Sequence, residues 1–257
     1  MSRFRAPGTS RAHPILIGIA SLVGATVLIE IAVRLDVLNR FIVPPPSDVL
    51  LAIPRIIAEE GVLDRFADTA FEAVCASIMV TIAGTALGVL LYQVRILRMA
   101  TETWVAAVAA SPTVLLYPLF LVVFGRSLTT IIAMGFTVGL APVILKTLEG
   151  LSGTRRVLIN VGRSFNLTPS QQFWKILFPA ALPTIFVGVR LGLIFTLINI
   201  VGVEFLINVG GLGHLINELS ERYDLAGTYA SIFSVILVSI GVFVTTEKAE
   251  RWLRPVD

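Results

Sequence analysis

The chain has 257 residues, 56% of them hydrophobic and only 14% charged, with a mean hydropathy of +0.88 and a net charge of +3. Soluble domains carry about 25% charged residues, so this balance excludes a soluble globular protein. Its 17 Arg and 3 Lys gather at the ends of apolar runs, which removes any need for a nucleic-acid partner, and the single cysteine, Cys75, excludes an intrachain disulfide.

Residues 1–13 form a basic tail with Arg3, Arg5 and Arg11. Pro14–Val33 then offers 20 residues with one charge, Glu30, enough helix to cross a hydrocarbon core of about 30 Å. A cleaved secretory signal is the other reading of this run, but it is long for one and no small-x-small cleavage site follows. Arg34–Asp68 is polar. Its Pro44-Pro45-Pro46 triplet favours an extended piece, and Ser47 or Asp48 is placed to cap a surface helix over Val49–Glu60.

Thr69–Val94 is the second expected span, with Glu72 near its start and the small-residue pair Gly84 and Gly88. After a link at Ile96–Thr101, Thr103–Phe124 is the third, interrupted at Ser111-Pro112 and Tyr117-Pro118. Proline removes backbone hydrogen bonds, so this helix must kink or break where protein or water serves the freed carbonyls. Such breaks often line a transport path, which makes Pro112 and Tyr117 candidates for one. Thr129–Leu148 is the fourth span, with Gly135 and Gly139.

Thr154–Leu193 is different in kind. Arg155, Arg156, Arg163 and Lys175 exclude its first part from hydrocarbon, while Leu158, Ile159, Phe165, Leu167, Phe173, Trp174 and Ile176 recur at helical spacing. Asn166-Leu167-Thr168-Pro169 breaks the pattern, giving a helix-turn-helix; Pro179 and Pro183 are expected to close its second helix. A charged amphipathic hairpin between two spans is a device for docking another protein.

Thr184–Asn208 is the fifth span, with Gly188, Gly192, Asn199 and Glu204. Val209-Gly-Gly-Leu-Gly-His214 leads to an amphipathic helix over Leu215–Tyr223, Leu225–Thr245 is the sixth span, and a charged end follows. An N-terminus inside places 13 of the 20 basic residues in the cytoplasm and six outside, as the positive-inside rule favours. The same orientation puts the hairpin on the side where ATP is.

The hairpin resembles the cytoplasmic EAA loop of ABC-importer permeases, specifically the sulfonate, nitrate and taurine type of the binding-protein-dependent family. Counted back from Phe178-Pro179, the family's Glu-Ala-Ala falls on Asn160, Val161 and Gly162 and its glycine on Asn166, so all four are substituted. The segment Phe178-Pro-Ala-Ala-Leu-Pro through Gly188 and Arg190, the proline-rich turn, Phe124-Gly125 and Gly211-Leu-Gly213 are also similar to that family, over roughly Pro14–Leu253. The resemblance implies an all-α integral membrane permease domain over residues 14–253, with about six transmembrane helices, a coupling loop over 149–182, a short re-entrant or outer helix before the last span, and a tail at 254–257. It would be a multi-pass protein of the bacterial cytoplasmic membrane with both termini inside.

The partners implied are an ATP-binding subunit dimer, a second permease chain as homodimer or heterodimer, an extracytoplasmic substrate-binding protein and membrane lipid. Gly162, Arg163, Ser164, Phe165, Asn166, Leu167 and Thr168 would contact the ATPase. The second permease chain is expected to pair through the small-residue helix faces. The cargo implied is a small sulfonate-, nitrate- or taurine-like anion moved by alternating access.

The residues themselves hold no enzyme. A phosphate-cradling loop needs Gly-x4-Gly-Lys-Ser/Thr, and Lys146, Lys175 and Lys248 are preceded by Leu145, Trp174 and Glu247. His13 and His214 have no metal-ligand spacing. No cofactor is therefore expected on this chain, with ATP and magnesium held by the partner subunit. Asn199 and Glu204 stand as candidates for the path or its outer gate, since a carboxylate in a span costs on the order of 2.5–3.5 kcal/mol. The bland alternative seats Glu204 at the outer edge, bonded to the Gly-rich turn. An ATP-independent transporter or channel is the competing function, and a membrane scaffold a third. Against the transporter or channel stand the absence of an evident inverted repeat and of an ionisable relay along the spans.

Overall fold

The computed structural model describes residues 12–253, and among these residues every regular element is helical. The helices are α1 (Ala12–Arg34), α2 (Pro46–Glu59), α3 (Val62–Gln93), α4 (Arg95–Ala110), α5 (Tyr117–Phe124), α6 (Leu128–Ser152), α7 (Arg156–Ser164), α8 (Pro169–Gln172), α9 (Phe178–Ile207), α10 (Gly211–Glu221) and α11 (Leu225–Leu253). A 3-10 turn at Thr113–Leu116 precedes α5, and a π-helical turn at Phe173–Leu177 joins α8 to α9. Five stretches among the described residues are long and apolar enough to cross a membrane, or six when the pair α4 with Thr113–Phe124, bent by 95°, is counted as one broken span. The sequence tail at 1–13 falls almost wholly outside the described residues, as does 254–257.

Three long helices, α3, α6 and α9, form the centre. Without water, helices gain by close approach rather than by hiding apolar surface, so small residues belong at their crossings. A Cβ at Gly88 would stand 2.5 Å from Thr147, and one at Gly192 2.6 Å from Val143. All six glycines of the three spaced pairs face helices of this same chain. The expectation that these faces pair with a second permease chain is therefore corrected: they are consumed internally, because three crossing helices need all of them to meet.

The boundaries moved where sequence signals overlapped. The surface helix starts at Pro46, not Val49, with Pro45 as its N-cap; a proline suits the first helical turn because its missing N–H is an orphan there anyway. Ser47 does not cap. Its N–H and Oγ bond Glu30 at 3.0 and 2.9 Å, and Arg34 Nε holds the same carboxylate at 2.5 Å, so the single acidic residue of α1 ties that helix to α2. The link Ile96–Thr101 is not a link, since α4 begins at Arg95. Pro179 and Pro183 do not close a helix: Pro169–Ile207 runs as one helical rod of 39 residues. The π turn makes this possible. Phe178 N–H reaches back five residues to Phe173, and the widened turn accommodates the proline that follows.

On the other end, α10 packs Leu212, Leu215 and Leu219 against Ala52 and Ile56 of α2, Val62 of α3 and Ala230 of α11. Ion pairs lace the same region. Arg55 bonds Asp224, Arg65 bonds Glu218 at 2.5 Å, and Arg222 bonds Glu60 at 3.1 Å.

Candidate functional site

The hairpin is built from two complementary helix ends. α7 stops at Ser164 because Asn166 takes the left-handed conformation, φ 51°, for which asparagine is the best residue after glycine. Leu167 N–H then bonds the Gly162 carbonyl at 3.1 Å and Asn166 N–H bonds Arg163 at 2.9 Å, a Schellman closure that satisfies two orphan carbonyls. Directly after it, Thr168 opens α8 with a capping box. Its Oγ1 accepts from Gln171 N–H at 3.3 Å, and Gln171 Oε1 accepts from Thr168 N–H at 3.0 Å. The Thr-x-x-Gln spacing was present in the sequence and the break was read there from Asn166 and Pro169 alone.

This geometry decides what the hairpin shows to solvent. Gly162 is buried, and a Cβ there would stand 2.6 Å from Ile176 of the π turn, so only glycine lets α7 close against it. Gln172 Nε2 adds a bond to the Ile159 carbonyl at 3.2 Å. Phe165, Arg163, Ser164 and Asn166 stay exposed, and Phe165 presents 75% of its surface. Leu167 is half-buried beneath them. A large exposed aromatic on a rigid turn, ringed by polar groups, is the form of a docking knob. Behind it, Phe173, Trp174 and Phe178 stack on one another with centroids 5.1–6.0 Å apart. The knob is thus fixed to the base of α9.

At mid-span, the break between α4 and α5 opens a cavity of about 250 Å³ against α6 and α9. Ser111 and Pro112 line it from the break, Pro142 from α6, and Phe195 and Asn199 from α9. Asn199 is buried, and its Oδ1 has no hydrogen-bond partner among the described residues. Pro112 and Asn199 therefore share one space. Tyr117 does not; it packs against the cluster of Ile131, Met134 and Ile200.

Glu204 lies apart from that cavity as well, fully buried toward the α10 end of α9. Thr69 Oγ1 donates to its Oε1 at 2.7 Å and Gly213 N–H to its Oε2 at 2.8 Å, while Leu212 N–H donates to Thr69 at 2.9 Å. Gly211, at φ 73°, lies so close that any side chain there would collide with the carboxylate. Glu72 of α3 is equally buried, and its Oε2 has no hydrogen-bond partner among the described residues. The Gly-rich turn and α3 are thereby locked to the end of α9. Sequence patterning pointed to the Glu204–turn contact but not to Thr69, which is 135 residues away.

Against known proteins, the family of binding-protein-dependent transport system inner membrane components matches residues 80–255, about two thirds of the chain. This chain belongs to that family. A probable ABC transporter permease of Brucella melitensis is 27% identical over 214 residues, covering 82% of this chain and 86% of the relative. The formylaminopyrimidine transport permease ThiX of Halalkalibacterium halodurans is 26% identical over 174 residues, 68% and 70% of the two. The taurine transport permease TauC of Escherichia coli is 23% identical over 226 residues, 86% and 82%. Nitrate and aliphatic sulfonate permeases are also relatives. Among solved structures, the inward-facing MetNI methionine ABC transporter superimposes with a TM-score of 0.65 at 19% identity, over 76% of this chain and 96% of that one. That likeness shows the fold. The expected recognition, the all-helical membrane architecture and the permease function of an ABC importer are all borne out, and the protein is a multi-pass inner membrane component.

Proposed function

We propose that residues 14–253 form the permease subunit through which an ATP-binding partner drives a small solute inward, with the partner gripping the exposed turn Arg163–Thr168 while the expected contact Gly162 stays buried beneath it. The observation that carries this is continuity: the exposed Phe165 turn is closed onto a helical rod, Pro169–Ile207, and that rod carries Asn199 into the mid-span cavity. A pull on the knob is delivered to the path without an intervening flexible joint.

In this reading two ATP-binding subunits, holding ATP and magnesium, close on two hairpins, one from each permease chain. Their approach swings α6 and α9 and opens the cavity toward an external binding protein; hydrolysis resets it. The substituted Glu-Ala-Ala positions shift the grip from an ion pair to the apolar Phe165. The N- and C-termini lie in the cytoplasm in this scheme, which rests on the distribution of Arg and Lys. The second permease chain meets this one through α4 and α5, which have no fully buried residue and leave Trp104, Leu119 and Val122 largely exposed.

The test is co-expression with an ATP-binding subunit encoded beside it, purified in mild detergent, and assayed for ATP-driven uptake in proteoliposomes. Stoichiometric co-purification that Phe165→Asp abolishes is expected, with the variant still folded because Phe165 supports no core. Uptake by that variant at the unaltered rate overturns the coupling assignment.

A further inference from the structure

The mid-span cavity has a chemistry of its own, and it bears on the kind of solute carried. Its charged residues are none: the walls are Ser, Thr, Pro, Val, Ala, Phe and Asn. A bare oxyanion moving out of water into such a space would forfeit its hydration with no cation to replace it. The cavity is nevertheless not inert, because Asn199 lacks a partner and two backbone carbonyls beside it lose the N–H that an unbroken helix would offer.

Asn199 is the first. It is nine-tenths buried and makes no hydrogen bond among the described residues, so a carboxamide with both donor and acceptor capacity stands unused. The second is the carbonyl of Val138 in α6, whose partner four residues on would be Pro142, which has no N–H; both residues line the cavity. The third is the end of α4. Thr113 N–H, which would have served the Ala109 carbonyl, bonds Ser111 at 2.8 Å instead, and Ala109 lines the same space. Phe195 adds an aromatic face, 45% exposed, four residues before Asn199 and so on the same side of α9.

Buried polar groups without partners cost stability and persist where a ligand completes them. An amide edge flanked by carbonyls that have lost their helical donor, beside one ring and with no charge, complements a small uncharged ring bearing adjacent N–H and C=O groups. We infer that this cavity is a transit subsite for an uncharged, planar, nitrogen-bearing organic solute, held edge-on by Asn199 and face-on by Phe195, and not for an inorganic oxyanion. The inference rests on the permease reading above and names its cargo class. It puts an uncharged cargo in place of the anion implied by the family resemblance. At about 250 Å³ the space takes a single ring with small substituents, below the usual 300–1,000 Å³ of drug-sized pockets.

The test uses the full chain in lipid nanodiscs, with saturation-transfer NMR and isotope-dilution binding of two probes, uracil and nitrate. Saturable uracil binding is expected, with none for nitrate. Asn199→Leu, similar in bulk without the amide, should weaken uracil roughly tenfold, and Asn199→Gln should recover part of the loss. Phe195→Leu should weaken uracil while leaving the melting temperature of the protein in place. Nitrate binding, equal uracil affinity in Asn199→Leu, or binding of neither probe would each overturn the subsite. None of these outcomes touches the co-purification of an ATP-binding subunit, so a failed permease reading shows itself separately as a missing partner.

Discussion

At Gly211 a positive φ and a close approach coincide. The backbone stands at 73°, and the Glu204 carboxylate fills the space where a side chain would begin. Gly211→Ala pays twice, once for the left-handed conformation and once for pushing Glu204 off Gly213. A loss of about 3 kcal/mol is expected, read as a clear fall in the detergent melting temperature. Glu204→Gln is gentler in shape and different in chemistry. A carboxamide offers one accepting oxygen, and Thr69 O–H and Gly213 N–H both need one, so one of the two donors goes unserved at a cost of about 1–3 kcal/mol. The same variant separates structure from path. If Glu204 holds the turn only, Glu204→Gln melts lower and transports with unchanged pH dependence; a changed pH profile of uptake in the variant would move Glu204 into the pathway.

At the scale of elements, the hairpin is a pair of caps sharing a four-residue turn, and the two caps separate experimentally. Thr168→Ala removes a capping box and should cost about 1 kcal/mol, while Asn166→Val places a β-branched residue at φ 51° and should cost more. Asn166→Gly, by contrast, should match the original or improve on it. Hydrogen exchange at Gln171 and Leu167 amides reports each cap by itself. The turn was legible because Asn, Thr and Pro act through their own backbone, within four residues. The break at Ser111-Pro112 was legible for the same reason. What followed the turn was not: Pro179 and Pro183 read locally as stops, and only the π turn, whose stability comes from packing Phe173 and Leu177 into the core, carries the helix across them. The three glycine pairs were visible as pairs, but which helix each would meet is a tertiary fact that spacing does not hold. Asn199 and Pro112 were likewise visible singly, and their meeting in one cavity depends on a 95° bend.

Over the whole molecule, the two ends of the bundle differ in construction, and the difference is what orientation acts on. The α10 end is tied by crossing ion pairs. Asp224 bonds Arg55, and its Oδ1 also caps α11 through Gly227 N–H at 3.0 Å. The Asp224 hydrogen bond raises the Arg55 guanidinium above its ordinary value. A raised arginine contributes stability that is complete below its unfolded value and is lost only as pH climbs through the folded one, so this tie is constant across physiological pH. The hairpin end carries the docking knob. Placing that end in the cytoplasm is a statement about sidedness that labelling decides. In a Cys75→Ala background, Phe165→Cys and Phe41→Cys give one exposed thiol at each end, since Phe165 presents 75% and Phe41 86% of its surface. With a membrane-impermeant maleimide, intact cells should label Phe41→Cys and spare Phe165→Cys, and inside-out vesicles should reverse the pattern. The reversed outcome would put the hairpin outside, away from ATP, and would undo the coupling scheme while leaving the fold as it stands. Three crossings separate residues 41 and 165, so both thiols labelling from the same face would require that odd number to become even. The broken α4–α5 pair, bent by 95°, is the one element that can make that change, by dipping in and returning instead of crossing.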